Sequence, residues 1–153
     1  MRYVLVIGVV LLLVGFAGLA YRNAQQSVKK EPEPSSLLQK ITVDGVSVHV
    51  TVADTEAVRV RGLSGRALLA ENEGMLFIFP ADGEWGIWMK DMLITLDILW
   101  IAADGRVIAI KERVSPETFP TVFTPQERAR YVLEVPAGFV KKNTIEIGSS
   151  MDI

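Results

Sequence analysis

The chain has 153 residues, half of them hydrophobic, with a formal net charge of -2 and a mean hydropathy of +0.31. That size allows one globular domain with an appendage, and the hydrophobic content excludes an intrinsically disordered chain. Cysteine is absent and His49 is the single histidine. Disulfides, thiol nucleophiles, iron–sulfur clusters and thiolate zinc sites are therefore excluded, so no cofactor and no metal are expected. The near-neutral, slightly acidic balance argues against nucleic acid as a partner, because phosphate binding needs a basic face.

Tyr3 to Tyr21 form 19 consecutive uncharged positions. As a helix they would reach about 28 Å, close to the ~30 Å core of a bilayer. Arg2 precedes the run, Arg22 follows it, and the two tyrosines stand at its ends, where interfacial aromatics gather. Two readings of residues 1–21 stay open. One is a signal anchor, a transmembrane helix that stays in the membrane. The other is a signal peptide, with Gly18 and Ala20 at the spacing of a cleavage site and the domain secreted. Arg22, Lys29 and Lys30 downstream weigh against Arg2 in setting orientation, but a short N-terminus before an apolar run resembles an export signal, so the remaining chain is expected on the extracytoplasmic side.

Residues 22–37 are a polar Glu/Pro spacer, with Glu31-Pro32-Glu33-Pro34 favouring an extended, solvated course. Residues 38–153 are the expected domain. Four of the 16 Lys/Arg (Arg2, Arg22, Lys29, Lys30) and two of the 18 Asp/Glu (Glu31, Glu33) precede it, which leaves the domain near -4.

Its first element is a hairpin. Ile41 to Val43 and Val46 to Val52 flank Asp44-Gly45, a pair that supplies the positive φ angles of a type I′ turn. Asp54 is expected to cap a helix that runs through Arg61 to a stop at Gly62, and Arg66 to Ala70 to add a helical turn. Met75 to Phe79 reads as a strand stopped by Pro80, and Trp85 to Met89 as another. Leu96 to Ala102 and Arg106 to Lys111 form a second hairpin around Asp104-Gly105. Pro116, Pro120 and Pro125 mark a surface loop. Arg130 to Val135 is a strand ended by Pro136, Ala137 to Lys142 a short helix, and Thr144 to Ile147 a last strand. The sum is a mainly β (α+β) domain, a compact antiparallel sandwich or barrel with one or two short helices.

Five segments, ADTEAVRVRGLSGR (Ala53 to Arg66), EGMLFIFP (Glu73 to Pro80), IWMKDMLITLDILWI (Ile87 to Ile101), ADGRVIAI (Ala103 to Ile110) and YVLEVPAG (Tyr131 to Gly138), together resemble the DUF192 family, a prokaryotic domain of unknown function. The resemblance covers Val48 to Ile153. It implies a compact β-rich domain, often behind an export signal or lipid anchor, and implies no reaction. The chain departs from the family pattern at Asp91, where Asn is usual, at Met92 and Thr95, where Thr and Pro are frequent, and at Ser149, where Asp is usual.

The densest candidate site is Trp88-Met89-Lys90-Asp91. Trp88 offers a stacking face for a sugar or another ring, and Lys90 and Asp91 offer polar groups. Against this stands the ordinary fate of a large aromatic, which is packing in the core. On a continuous strand Trp88 and Lys90 would share one face, and Met89 and Asp91 the other. Asp97 and Glu134 each interrupt an apolar strand, so each faces solvent or is buried with a partner. Paired, they would suit acid–base chemistry. Arg61 and Arg66 are possible neighbours of the site, or ion-pair partners for those acids. His49 alone makes no metal site, Gly62 and Gly65 make no nucleotide fingerprint, and Ser64 lacks a hydrolase frame and a second histidine as base.

Two function classes follow. One is a non-catalytic extracytoplasmic binding or interaction module for an envelope glycan or protein. The other is a small enzyme using carboxylate and lysine acid–base chemistry. A cleft that brings Asp97 or Glu134 to Trp88 and Lys90 would favour the second. For the anchor, the full-length protein is expected to stay with membranes through a carbonate wash, whereas a chain starting at Leu37 stays in solution. Recovery of a soluble mature protein beginning at Tyr21 would overturn the anchor.

Overall fold

The computed structural model describes residues 38–153. The 1–21 segment and the spacer through residue 37 lie outside the described residues.

The first hairpin forms as its turn residues dictate. Strands β1 (Gln39–Val43) and β2 (Val46–Ala53) pair from Val43 opposite Val46, and Asp44 and Gly45 take φ of 47° and 76°. Helix α1 (Glu56–Arg61) follows. Its N-cap is Thr55, not Asp54: the Thr55 hydroxyl accepts from Val58 N at 3.3 Å. Gly62 ends it at φ 51°, donating its N–H to Val58 O. So short a helix is marginal alone, and buried Val58 ties it to the sheet.

The chain then enters β3 (Glu73–Gly83), which lies parallel to β2 with Thr51 opposite Met75. The sheet is therefore mixed rather than antiparallel, because the α1 connection returns the chain in the same direction. No helical turn forms over 66–70, where Gly62 has already broken the helix and Arg66 closes a turn onto Leu63 O. Pro80 does not stop β3. It sits at an irregularity between Ile78 and Gly83, the kind of place where a strand tolerates a residue without an N–H.

Only Ile87–Trp88 of the expected 85–89 strand pairs (β4), against β7 (Val122–Phe123). Strands β5 (Leu96–Ile101) and β6 (Val107–Val114) form the second hairpin. The prolines after it enclose a 3-10 turn over Pro116–Thr118, and β8 (Ala129–Pro136) inserts between β3 and β5. Helix α2 (Phe139–Asn143) and β9 (Met151–Asp152) complete the domain. The expected strand over 144–147 is absent, since Thr144 takes a left-handed φ of 55° as the α2 cap and directs Ile145 N back to Val140 O.

The large sheet has the order β6-β5-β8-β3-β2-β1-β9. It curls into a half-barrel until its ends meet. Val107 N donates to Ser149 O at 2.9 Å, and Met151 N to Gly105 O at 2.8 Å. Ser149 also donates its hydroxyl to Asp44, and this bond, with a second from Ser150 N, holds the Asp44 carboxyl below the usual range. The residue that departs from the family pattern near the C-terminus is thus a clasp at the closure.

Both sheet faces are covered. The concave core holds Val48, Val50, Leu76, Leu99, Leu133 and Val135, closed by Phe139 and Val140 of α2. The convex core holds Met75, Phe77, Phe79, Ile98, Trp100 and Val132, covered by Val58, Leu63 and the 85–92 segment.

Asp97 is fully buried and belongs to this framework. Its carboxylate accepts from Arg113 N at 2.8 Å and from Gly138 N and Val140 N, both at 3.0 Å. It fixes the start of α2 and the end of β6 in place of a side-chain cap on Gly138. Asp97→Ala should cost at least about 3 kcal/mol, because three backbone donors lose a charged acceptor in the interior. Urea unfolding of the two proteins measures this, and a loss below 1 kcal/mol would show, on the usual scale of hydrogen bonds to charged groups, that roughly none of the three bonds matters.

Candidate functional site

Strand register decides which side chains meet. Across β2, β3, β8 and β5, the residues Thr51, Met75, Glu134 and Ile98 stand opposite one another in a lateral row. All four therefore project from the convex face. Asp97 stands opposite Val135, one position along from the Ile98–Glu134 pair, and points to the other face. The two acids are neighbours in the sheet and never share a site. The pair weighed for acid–base chemistry does not form.

Glu134 lies at the bottom of a cleft of about 290 Å³. Phe77 and Phe79 of β3, Leu63, Ile87 and Met92 make its apolar walls, and Glu56, Arg59, Arg61, Trp88 and Lys90 stand around it. Gly74, on the concave side of β3, lets the strand lie close to β8: a Cβ there would come within 2.7 Å of the Glu134 backbone O and 3.2 Å of Val135. Gly62 lines the cleft wall, where its positive φ bends the chain above Phe77.

The Glu134 side chain is 5% exposed, and its Oε2 has no hydrogen-bond partner among the described residues. Burial alone moves its carboxyl from 4.5 up to about 8, since taking the charged form out of water is costly. At neutral pH the group is mostly a neutral acid, one O–H donor with remaining acceptor capacity. An unpaired polar atom in such a place costs about 1–3 kcal/mol.

Trp88 is not core. It is 47% exposed on β4, braced edge-on by Phe119 at 5.9 Å between ring centroids. The Lys90 Nζ lies 5.8 Å from the Trp88 ring centroid, over its face. Met89 is 1% exposed and packs in the convex core, as the alternation requires. Asp91 does not line the cleft. It occupies a left-handed φ of 55°, a conformation that Asp and Asn both tolerate, so its departure from the family's Asn preserves the turn. Carbonyls of this turn hold the opposite wall: Gly65 N donates to Asp91 O at 2.8 Å and the Ser64 hydroxyl to Lys90 O at 3.0 Å.

Arg61 lines the cleft, and Arg66 lies outside it, in an adjoining cavity of about 240 Å³ under the 61–66 segment. That cavity reaches Thr51 and Met75, so the two hollows sit over the same lateral row. Neither arginine pairs with Asp97 or Glu134. His49 is half-buried on β2, and no group of three His, Asp or Glu that could hold a metal occurs among the described residues.

The sequence did not place Arg59, Glu56, Phe77, Phe79 or Met92 at the site. Arg59 donates to Asp54 O at 2.6 Å and Ile78 O at 2.9 Å, and lies over the Phe79 ring at 5.4 Å, so it fastens α1 to β3 at the wall. The parity of β3 held a signal: Met75, Phe77 and Phe79 alternate on one face, and Met75 stands beside Glu134.

A family model described as "Uncharacterized ACR" matches residues 39–153. A UPF0127 protein of Thermococcus gammatolerans is 32% identical over 102 residues, which are 65% of this chain and 63% of that relative. A UPF0127 protein of Thermococcus sibiricus is 30% identical over 106 residues, 68% of this chain and 65% of the relative. The chain thus spans slightly less than two thirds of the curated relatives it matches. A crystal structure of a protein of unknown function from Novosphingobium aromaticivorans superposes with a TM-score of 0.73 at 28% identity, covering 79% of this chain and 90% of that one.

Proposed function

The chain belongs to the DUF192 family, and we propose that this member is a binding module whose convex cleft takes a ring-shaped ligand of sugar size. The observation that carries this reading is the Glu134 carboxyl, buried among apolar side chains and without a protein partner for its Oε2, yet lining an open cleft. Buried polar groups are almost always satisfied, and a ligand's polar group in the cleft is one way to explain the exception. The rest of the cleft suits the same occupant. Trp88 supplies an exposed platform, the phenylalanines supply an apolar wall, and a few polar groups converge to orient the ring. With the N-terminal apolar segment as anchor or export signal, the ligand is an envelope glycan met on the extracytoplasmic side.

A second reading has its own observation. A carboxyl held near 8 is poised for proton transfer at neutral pH. Asp97 is unavailable as its partner, so an enzyme here would work with Glu134 alone beside Lys90. Glu134→Gln separates the readings, since the amide keeps a donor and an acceptor and transfers no proton.

The test is titration of the full-length protein with a panel of envelope-derived oligosaccharides, followed by tryptophan fluorescence. Trp88→Ala leaves a folded protein, because the ring is half exposed, and should weaken binding by roughly 1–3 kcal/mol, by analogy with the stacking of other rings on aromatic side chains. Glu134→Gln should retain most of the binding. Unchanged affinity in Trp88→Ala would place the ligand elsewhere, and ligand turnover abolished by Glu134→Gln would establish the enzyme.

A further inference from the structure

The charge around the cleft runs against the charge of the domain. Residues 38–153 are net acidic, near -4. Yet the cleft is bordered by three cations, Arg59, Arg61 and Lys90, and by one exposed acid, Glu56. Asp91, the acid nearest in sequence, does not line it.

These cations are not spent on protein acids. The ion pairs among the described residues are Arg106 with Asp104 and Glu127, Arg130 with Asp82, and Lys142 with Glu71. Arg59, Arg61 and Lys90 appear in none of them. Arg59 meets only carbonyl oxygens and an aromatic face, which orient a guanidinium without cancelling its charge. Lys90 lies over Trp88. Nor do the cations serve Glu134. No ion pair joins them to it, and Arg61 and Lys90 are exposed whereas Glu134 is buried, so the positive groups sit at the rim and the acid at the floor.

The cleft therefore has two polar levels. The floor offers a neutral acid that pairs with a hydroxyl or carbonyl. The rim offers uncompensated positive charge beside a stacking face. A neutral sugar uses the floor and the platform and leaves the rim idle. We infer that the ligand is an anionic sugar, its ring on Trp88, a hydroxyl on Glu134, and its carboxylate or phosphate between Arg61 and Lys90. This inference rests on the binding role proposed for the cleft and adds the ligand's charge class to it. Carboxylate and phosphate share the chemistry that the two cations recognise, and arginine's planar fork and lysine's point charge accept both.

The experiment titrates the full-length protein with glucuronate, glucose 6-phosphate and glucose, following the Trp88 indole N–H signal by NMR. At least one anion should bind about tenfold more tightly than glucose, the gain expected of two partly exposed ion pairs, and the better of the two identifies the anionic group. Lys90→Gln and Arg61→Gln should each weaken that anion roughly two- to fivefold more than glucose, and the double variant should erase the preference. The preference should also shrink as salt is raised, because the rim is exposed. Equal binding of all three sugars, or a preference that survives the double variant, overturns the inference and leaves the binding role standing. No response to any of the three overturns the sugar-binding role with it.

Discussion

The feature on which the site depends is one carboxyl group held in an apolar place. Glu134 occupies the centre of the sheet, on the strand between β3 and β5, where each flanking strand contributes hydrophobic side chains to the same face. Nothing among the described residues satisfies its Oε2. A fold selected only for packing would fill this position with a methyl-bearing side chain and gain the ~1–3 kcal/mol that the orphaned oxygen costs. Two neighbouring features leave that carboxyl open to the cleft. Gly62 turns the chain above Phe77, and the 85–92 segment stops short of covering the acid.

The two buried acids show how strand parity separates structure from chemistry. Asp97 and Glu134 lie on paired strands, one step apart in register. That single step sends one carboxylate to the concave side, where three backbone N–H groups meet it, and the other to the convex side, where none does. Equal burial has opposite consequences. Asp97 is a fully bonded acceptor that organises β6 and α2, and Glu134 is a neutral acid facing a cleft.

Much of the fold was legible because local chemistry and tertiary packing agree. Asp44-Gly45 and Asp104-Gly105 specify their hairpins, Gly62 ends its helix, and β3, β5 and β8 are apolar runs of strand length. The parallel β2–β3 pairing was not legible, because strand direction is set by what the connection packs against. The 144–147 segment misled for a similar reason: Ile145 is buried, but against α2 rather than in a ladder. At the site, the segment Trp88 to Asp91 was chosen for its density of chemical groups, and the structure divides it by parity. Trp88 and Lys90 face the cleft, Met89 enters the core, and Asp91 serves a turn. Arg59 and Phe79 were hidden because their meeting depends on α1 lying against β3, which no local pattern encodes.

The donor at the base of the cleft exists only if the Glu134 carboxyl is protonated at neutral pH. Its side-chain carbon can be followed by carbon-13 NMR across a pH titration, with Glu134→Gln assigning the signal. Burial predicts a midpoint near 8, more than three units above its ordinary 4.5, with the group still protonated at pH 7. A midpoint near 4.5 would mean a carboxylate in contact with water or a cation, and the neutral donor at the base of the cleft would not exist.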